Sequence, residues 1–214
     1  MISIDDFFEY LSIILVVINA GLYAWSSKKY KLPKTTNILT LYVLIACIIQ
    51  ITQFVLAKLL IHNLFLSHFY FILQFILLSL FYKELLNEKQ SVIVKRTMFI
   101  VLLALSIHFV FNAELLVRFN VFEAFITSLP IIIYAVIHKY NSLSKTYEYK
   151  YVNTGILVYL STSALIFILG DYLSSLQKSD LLAKIWFINK VLYVGFLLLI
   201  LIEWKVKVWP VKNN

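Results

Sequence analysis

Long apolar runs alternate with short polar segments along this chain, and the length of the runs decides what they form. Seven stretches, at about Phe7–Trp25, Asn37–Ala57, Leu64–Tyr82, Val92–Phe111, Phe119–Ile137, Val152–Tyr172 and Lys184–Trp204, match the roughly 20 residues that an α-helix needs to cross a hydrocarbon core about 30 Å thick. Transmembrane β-strands need only about 10 residues with strict in/out alternation. These runs are longer and continuous, so the pattern predicts an all-α integral membrane bundle of seven transmembrane helices, one domain over residues 1–214. The first run opens on Asp5, Asp6 and Glu9 where a signal peptide would carry basic residues, so it is expected to remain as a helix.

Composition agrees with the pattern. The chain is 62% apolar and 14% charged, against about 45–50% and about a quarter in soluble domains. Three prolines and four glycines are too few for a turn-rich all-β fold or flexible linkers. The net charge of +8 would suggest nucleic acid if the basic residues clustered on a polar domain. They lie between apolar runs instead, so the expected partner is the lipid bilayer of the cell (inner) membrane, and no nucleic acid.

The same basic residues predict an orientation. Fourteen Lys and Arg fall in one set of alternate connections and the tail, against Lys58, Arg118, Lys178 and Lys184 in the other set. The positive-inside rule makes the first side cytoplasmic, placing the N-terminus outside and the C-terminus inside. Aromatic anchors are expected at Tyr23, Trp25, Tyr82, Tyr134, Trp204 and Trp209 on the inner boundary, and at Tyr10, Tyr172 and Trp186 on the outer one. No connection has room for a kinase, nucleotide-binding or DNA-binding module, so a soluble output is expected to come from a separate cytoplasmic or membrane partner. The segment HKYNSLSKTYEYKY, His138 to Tyr151, is suited to lie on an anionic leaflet or to meet such a partner.

Polar side chains within apolar runs cost about 2.5–3.5 kcal/mol each on insertion scales when charged, and usually face a bundle interior or a wet cavity. Most lie in the outer half: Gln50 and Gln53; His68, Tyr70 and Gln74; His108 and Asn112; Glu123; Asp171; Asn189 and Lys190. The inner half shows little beyond Asn19 and a few hydroxyls. Helical spacing aligns Glu123, Thr127, Pro130 and Tyr134 in one stripe, and Trp186, Lys190, Tyr193, Leu197 and Trp204 in another. Ser67, Tyr70 and Gln74 align on run three, with His68 about 100° away. On run two Gln50 and Gln53 align, and on run four His108 and Asn112 do. Together these residues form a candidate ligand-binding chamber opening outward. The competing reading is that amides simply join helices by hydrogen bonds. Lys190 is expected either to snorkel outward or to pair with Glu123 or Asp171, forming a receptor for an anionic or zwitterionic ligand. Pro130 removes the hydrogen bond to the Ile126 carbonyl and is expected to kink run five.

Other chemistry has no support. HExxH, GxSxG, Walker and GxGxxG patterns are absent. The single Cys47 excludes an intrachain disulfide and a cysteine-based zinc site. The four histidines offer no metal pair, and His68 with His108 make a weak bis-histidine haem set. Neither metal nor cofactor is expected. A lysine in the seventh helix of a seven-helix bundle resembles the microbial rhodopsins, where it carries a retinal Schiff base. That likeness stops at the helix count and Lys190, because LFLSHFYFILQFILLSLFY has no carboxylate for the family's counter-ion, and the family is not assigned. The topology also resembles bacterial seven-helix sensor modules fused to histidine kinases.

The leading expectation is a receptor-like or sensory membrane protein that binds a small ligand in the outer chamber and signals through a separate partner. The alternatives are a small-solute transporter or channel, a non-catalytic subunit of a larger complex, and an enzyme using His108, Glu123 and Asp171 as acid-base groups. The orientation is tested with reporter fusions: N-terminal tags are expected outside and C-terminal tags in the cytoplasm. A cytoplasmic position for both overturns the topology.

Overall fold

The structure, a computed structural model, describes residues 3–144, 146–177 and 179–209. Lys145, Lys178 and Lys212, counted above for orientation, lie outside the described residues. Seven helices follow in order: α1 (Ile4–Lys29), α2 (Lys34–Lys58), α3 (Leu66–Leu85), α4 (Glu88–Phe111), α5 (Val121–Asn141), α6 (Lys150–Ser175) and α7 (Ser179–Glu203), with a 3-10 turn at Ala113–Val117 and a π turn at Trp204–Val208. No strand occurs among the described residues. All seven helices are long and apolar enough to cross a membrane, so the chain is a multi-pass membrane protein.

Local chemistry sets the ends. Ser3 caps α1 by accepting from the Asp6 amide at 3.0 Å, while the Asp6 carboxylate accepts from the Ser3 amide at 3.2 Å. Asn87 and Gln90 form the same reciprocal box on α4. Asn120 caps α5, accepting from the Glu123 amide at 3.2 Å. That cap starts α5 two residues later than the apolar pattern predicts, which leaves Phe119 in the connection with its ring turned toward α6 and α7. Pro130 sits inside α5, which continues as one helix through it.

Six helices close a ring in the order α1, α2, α3, α5, α6, α7, and α4 packs outside it against α3 and α5. Only Val94, Val101 and Leu105 of α4 are buried. The ring is filled by Val16, Leu39, Phe75, Leu78, Phe81, Ile156, Leu197 and Ile200, all nearly inaccessible. We call the end at which α1 begins the upper end.

The lower half corrects the expectation of a nearly apolar interior. Asn19 donates to the Leu197 carbonyl at 3.0 Å, and the Tyr23 hydroxyl to the Ile200 carbonyl at 3.2 Å. The Trp204 indole donates to Ser26 at 3.0 Å, joining α1 to α7 a third time. Tyr82 donates to Asn153 Oδ1 at 2.7 Å, and the Asn153 amide donates to the Ala135 carbonyl and the Tyr147 hydroxyl. Glu203 accepts from the Tyr151 and Val152 amides, capping α6 from α7. Tyr149, in left-handed backbone (φ 51°), is buried against Phe81 and hydrogen-bonds Thr36 at 2.8 Å. Burial, its largest influence, raises the Tyr149 hydroxyl above its ordinary range, so the proton stays on at neutral pH. Tyr147 and Tyr149 therefore plug the bundle from a segment whose composition suggested a surface. Tyr23, Tyr82 and Tyr134 are likewise buried and cannot serve as lipid anchors, whereas Trp25, Trp209, Tyr10 and Tyr172 are exposed.

Gly155 shows how closely α6 and α7 approach. A Cβ there would stand 2.6 Å from Cδ2 of Phe196, whose ring stacks on Tyr159 at 5.3 Å. Gly155→Ala is expected to destabilise the protein by about 1–3 kcal/mol, the usual cost of overpacking, read as a lowered melting temperature in detergent.

Candidate functional site

A cavity of about 400 Å³ opens in the upper half between α1, α2, α3, α6 and α7. Its walls differ in chemistry. On one side stand Glu9 and Ser12 of α1, Gln50 and Gln53 of α2, and Asn189 and Lys190 of α7. On the other, Phe71, Phe119, Phe167 and Trp186 pack edge to face with ring centroids 5.3–6.3 Å apart. Tyr70, Tyr159 and Tyr193 also border it. Beneath them, Tyr42, Phe75, Phe196 and Leu197 pack with little exposure and close the space.

The polar wall is ordered by its own bonds. Tyr193 donates to Gln50 Oε1 at 2.8 Å, Gln50 Nε2 donates to Ser12 at 2.8 Å, and Ser12 donates to the Glu9 carbonyl at 2.8 Å. Ser163 donates to Asn189 Oδ1 at 2.5 Å. At the mouth, Lys190 Nζ lies 2.5 Å from Asp5 and 3.5 Å from Glu9. The Tyr70 hydroxyl is buried close to those of Tyr42 and Tyr159.

Five of the candidate ligand-binding residues, Gln50, Gln53, Tyr70, Asn189 and Lys190, line this cavity, as do Ser67, Trp186 and Tyr193 of the same stripes. The others do not join them. Gln74 lies deeper on the Tyr70 face of α3, where its carbonyl accepts from Tyr42 at 3.4 Å. His68 is turned to the opposite side of α3, where its Nδ1 meets Glu123 Oε2 in a buried pair, 7% and 0% exposed. Glu123 thereby occupies the first turn of α5, where the helix dipole favours a carboxylate. His108 and Asn112 belong to α4, outside the ring; Asn112 caps that helix by donating to the His108 carbonyl at 2.9 Å, and the His108 ring packs on Phe122. Asp171 is exposed, because Gly170 takes the position facing Trp186, and one further residue turns the helix by about 100°.

Two expectations about charge are thus corrected. Lys190 pairs with neither Glu123 nor Asp171, and it does not simply snorkel: α1 and α7 are ring neighbours and begin at the same end, which brings Asp5 and Glu9 to it. Glu123 is taken by His68 because α3 and α5 touch directly once α4 is excluded. His108, Glu123 and Asp171 are not gathered into one acid-base set. Among the described residues, no group of three or more His, Cys, Asp and Glu could hold a metal. Sequence reasoning missed Glu9, Ser12, Tyr159 and the three phenylalanines of the ring wall, Phe71, Phe119 and Phe167. Ser12 and Glu9 share a helical face at i, i+3, which could have flagged them; the apolar rings carried no signal distinguishing them from core.

The His68–Glu123 contact and the Lys190 contacts are expected to behave differently. His68→Leu leaves a buried carboxylate alone and should cost about 3–5 kcal/mol, much of it recovered in the double variant with Glu123→Leu. Lys190→Met breaks a partly exposed pair and should cost at most about 1 kcal/mol. Melting temperatures of the single and double variants in detergent measure both.

Comparison of the chain with protein-family models, with curated proteins and with solved structures found no match.

Proposed function

We propose that this is a receptor-like or sensory protein of the cell membrane, with the upper end outside, that binds a small ligand in the upper cavity and passes a helix displacement to a separate cytoplasmic partner. The observation that carries this reading is a cavity with one polar and one aromatic wall, open above and packed shut below. A size of about 400 Å³ is within the range of small-molecule sites, roughly 300–1,000 Å³. The closed floor argues against a continuous channel.

α7 is the physical link. It contributes Trp186, Asn189, Lys190 and Tyr193 to the cavity, and further along it meets Asn19 and Tyr23 of α1, holds the start of α6 through Glu203, and is followed by Trp204, which bonds Ser26 of α1. It then loosens into a π turn at Trp204–Val208, a form that often accompanies function. A ligand that moves the upper part of α7 acts on a packed element whose lower end is tied to two neighbours.

Native mass spectrometry of protein released directly from membranes tests the proposal against Gln53→Trp, which fills the cavity. The expected result is a small-molecule adduct on the wild type that the variant lacks. Equal adducts on both overturn the site, and solute flux through proteoliposomes containing the protein overturns the receptor reading in favour of transport.

A further inference from the structure

The mouth and wall of the cavity have a charge preference. Two carboxylates, Asp5 and Glu9, face one ammonium, that of Lys190. Asp5 holds the shorter contact, so Glu9, which lines the cavity, is the less satisfied of the two. The same cavity is lined by the rings of Phe119, Phe167 and Trp186, which pack on one another. Aromatic faces attract cations lying within about 6 Å of the ring centroid. Among the described residues, the lysines placed over rings are Lys29, Lys58, Lys150 and Lys207, and none of them sits on this wall. Tyr70, which also borders the cavity, adds a hydroxyl near the uncharged part of a guest.

We infer that the cavity selects a small organic cation, an ammonium head on an aromatic or alkyl body, seated between Glu9 and the Phe119–Phe167–Trp186 wall. The inference rests on the reading of the cavity as a ligand site. An anion would meet a carboxylate and would have to draw Lys190 away from two carboxylates. An uncharged guest would leave Glu9 with only its 3.5 Å contact to Lys190. A cation answers both the carboxylate and the rings, and its body covers the apolar wall.

The test uses the full-length protein in detergent and three probes that share a phenyl body: benzyltrimethylammonium, its uncharged isostere neopentylbenzene, and benzenesulfonate. Trp186 is the reporter, since Trp25, Trp204 and Trp209 belong to the opposite end of the bundle. Benzyltrimethylammonium is expected to give a saturable fluorescence change that Trp186→Phe abolishes, with affinity about tenfold above the isostere, and benzenesulfonate to give none. Glu9→Gln should weaken the ammonium about tenfold, and Lys190→Met, which frees both carboxylates, should tighten it. Circular dichroism confirms that each variant is folded, and Glu9→Gln keeps the side-chain shape if Lys190→Met does not fold. Preference for benzenesulfonate, or weaker ammonium binding in folded Lys190→Met, overturns the inference. Equal binding of ammonium and isostere also overturns it, while leaving the cavity as a ligand site. No response to any probe overturns the inference too, and the ligand site itself is then judged by the adduct measurement described above.

Discussion

Hydrocarbon offers no water to a polar group, so a buried side-chain donor or acceptor in this bundle gains by finding a partner in its own helix or a neighbouring one. The seam between α1 and α7 shows what that requirement builds. Asn19 and Tyr23 reach carbonyls of α7, and Trp204 reaches back to Ser26. These bonds fix the two helices side by side and in register. Their common register brings Asp5 and Glu9 to Lys190 at the upper end, and the cavity mouth follows from it.

The same requirement sorts the polar residues into separate groups. α3 carries both Ser67 and His68, adjacent in sequence and directed to different neighbours: Ser67 lines the cavity, while His68 pairs with Glu123. The aromatic set of Phe71, Phe119 and Phe167 lines the cavity wall that α3, α6 and the connection before α5 share. At the lower end a third group, centred on Asn153, Tyr82, Tyr149 and Glu203, joins α2, α3, α5, α6 and α7. The cavity wall above and the helix anchoring below are thus built from the same residue types.

α7 runs through both regions. Its upper turns present side chains to the cavity, and its lower turns are held by α1 and α6. An occupant displacing Trp186 or Lys190 would work against bonds at the far end of the same helix, which is the mechanical basis for reading the protein as a sensor. A pore would need the packed layer of Phe75, Phe196 and Leu197 to give way.

The number and class of the helices were legible in the sequence because apolar length and continuity alone decide whether a segment can cross a bilayer. The stripes were also legible: Trp186, Lys190 and Tyr193 share the cavity, as do Gln50 with Gln53 and Ser67 with Tyr70, since the 3.6-residue period is local. What the sequence could not determine was which helix faces which. Periodicity places His108 and Asn112 on one face of α4, yet only the packing order excludes α4 from the ring and removes them from the cavity. Likewise Glu123, Asp171 and Lys190 have suitable depth and charge for one another, but partner choice depends on helix adjacency and on rotations of about 100° per residue. Those are properties of the assembled bundle, and it gave Glu123 to His68 and Lys190 to Asp5.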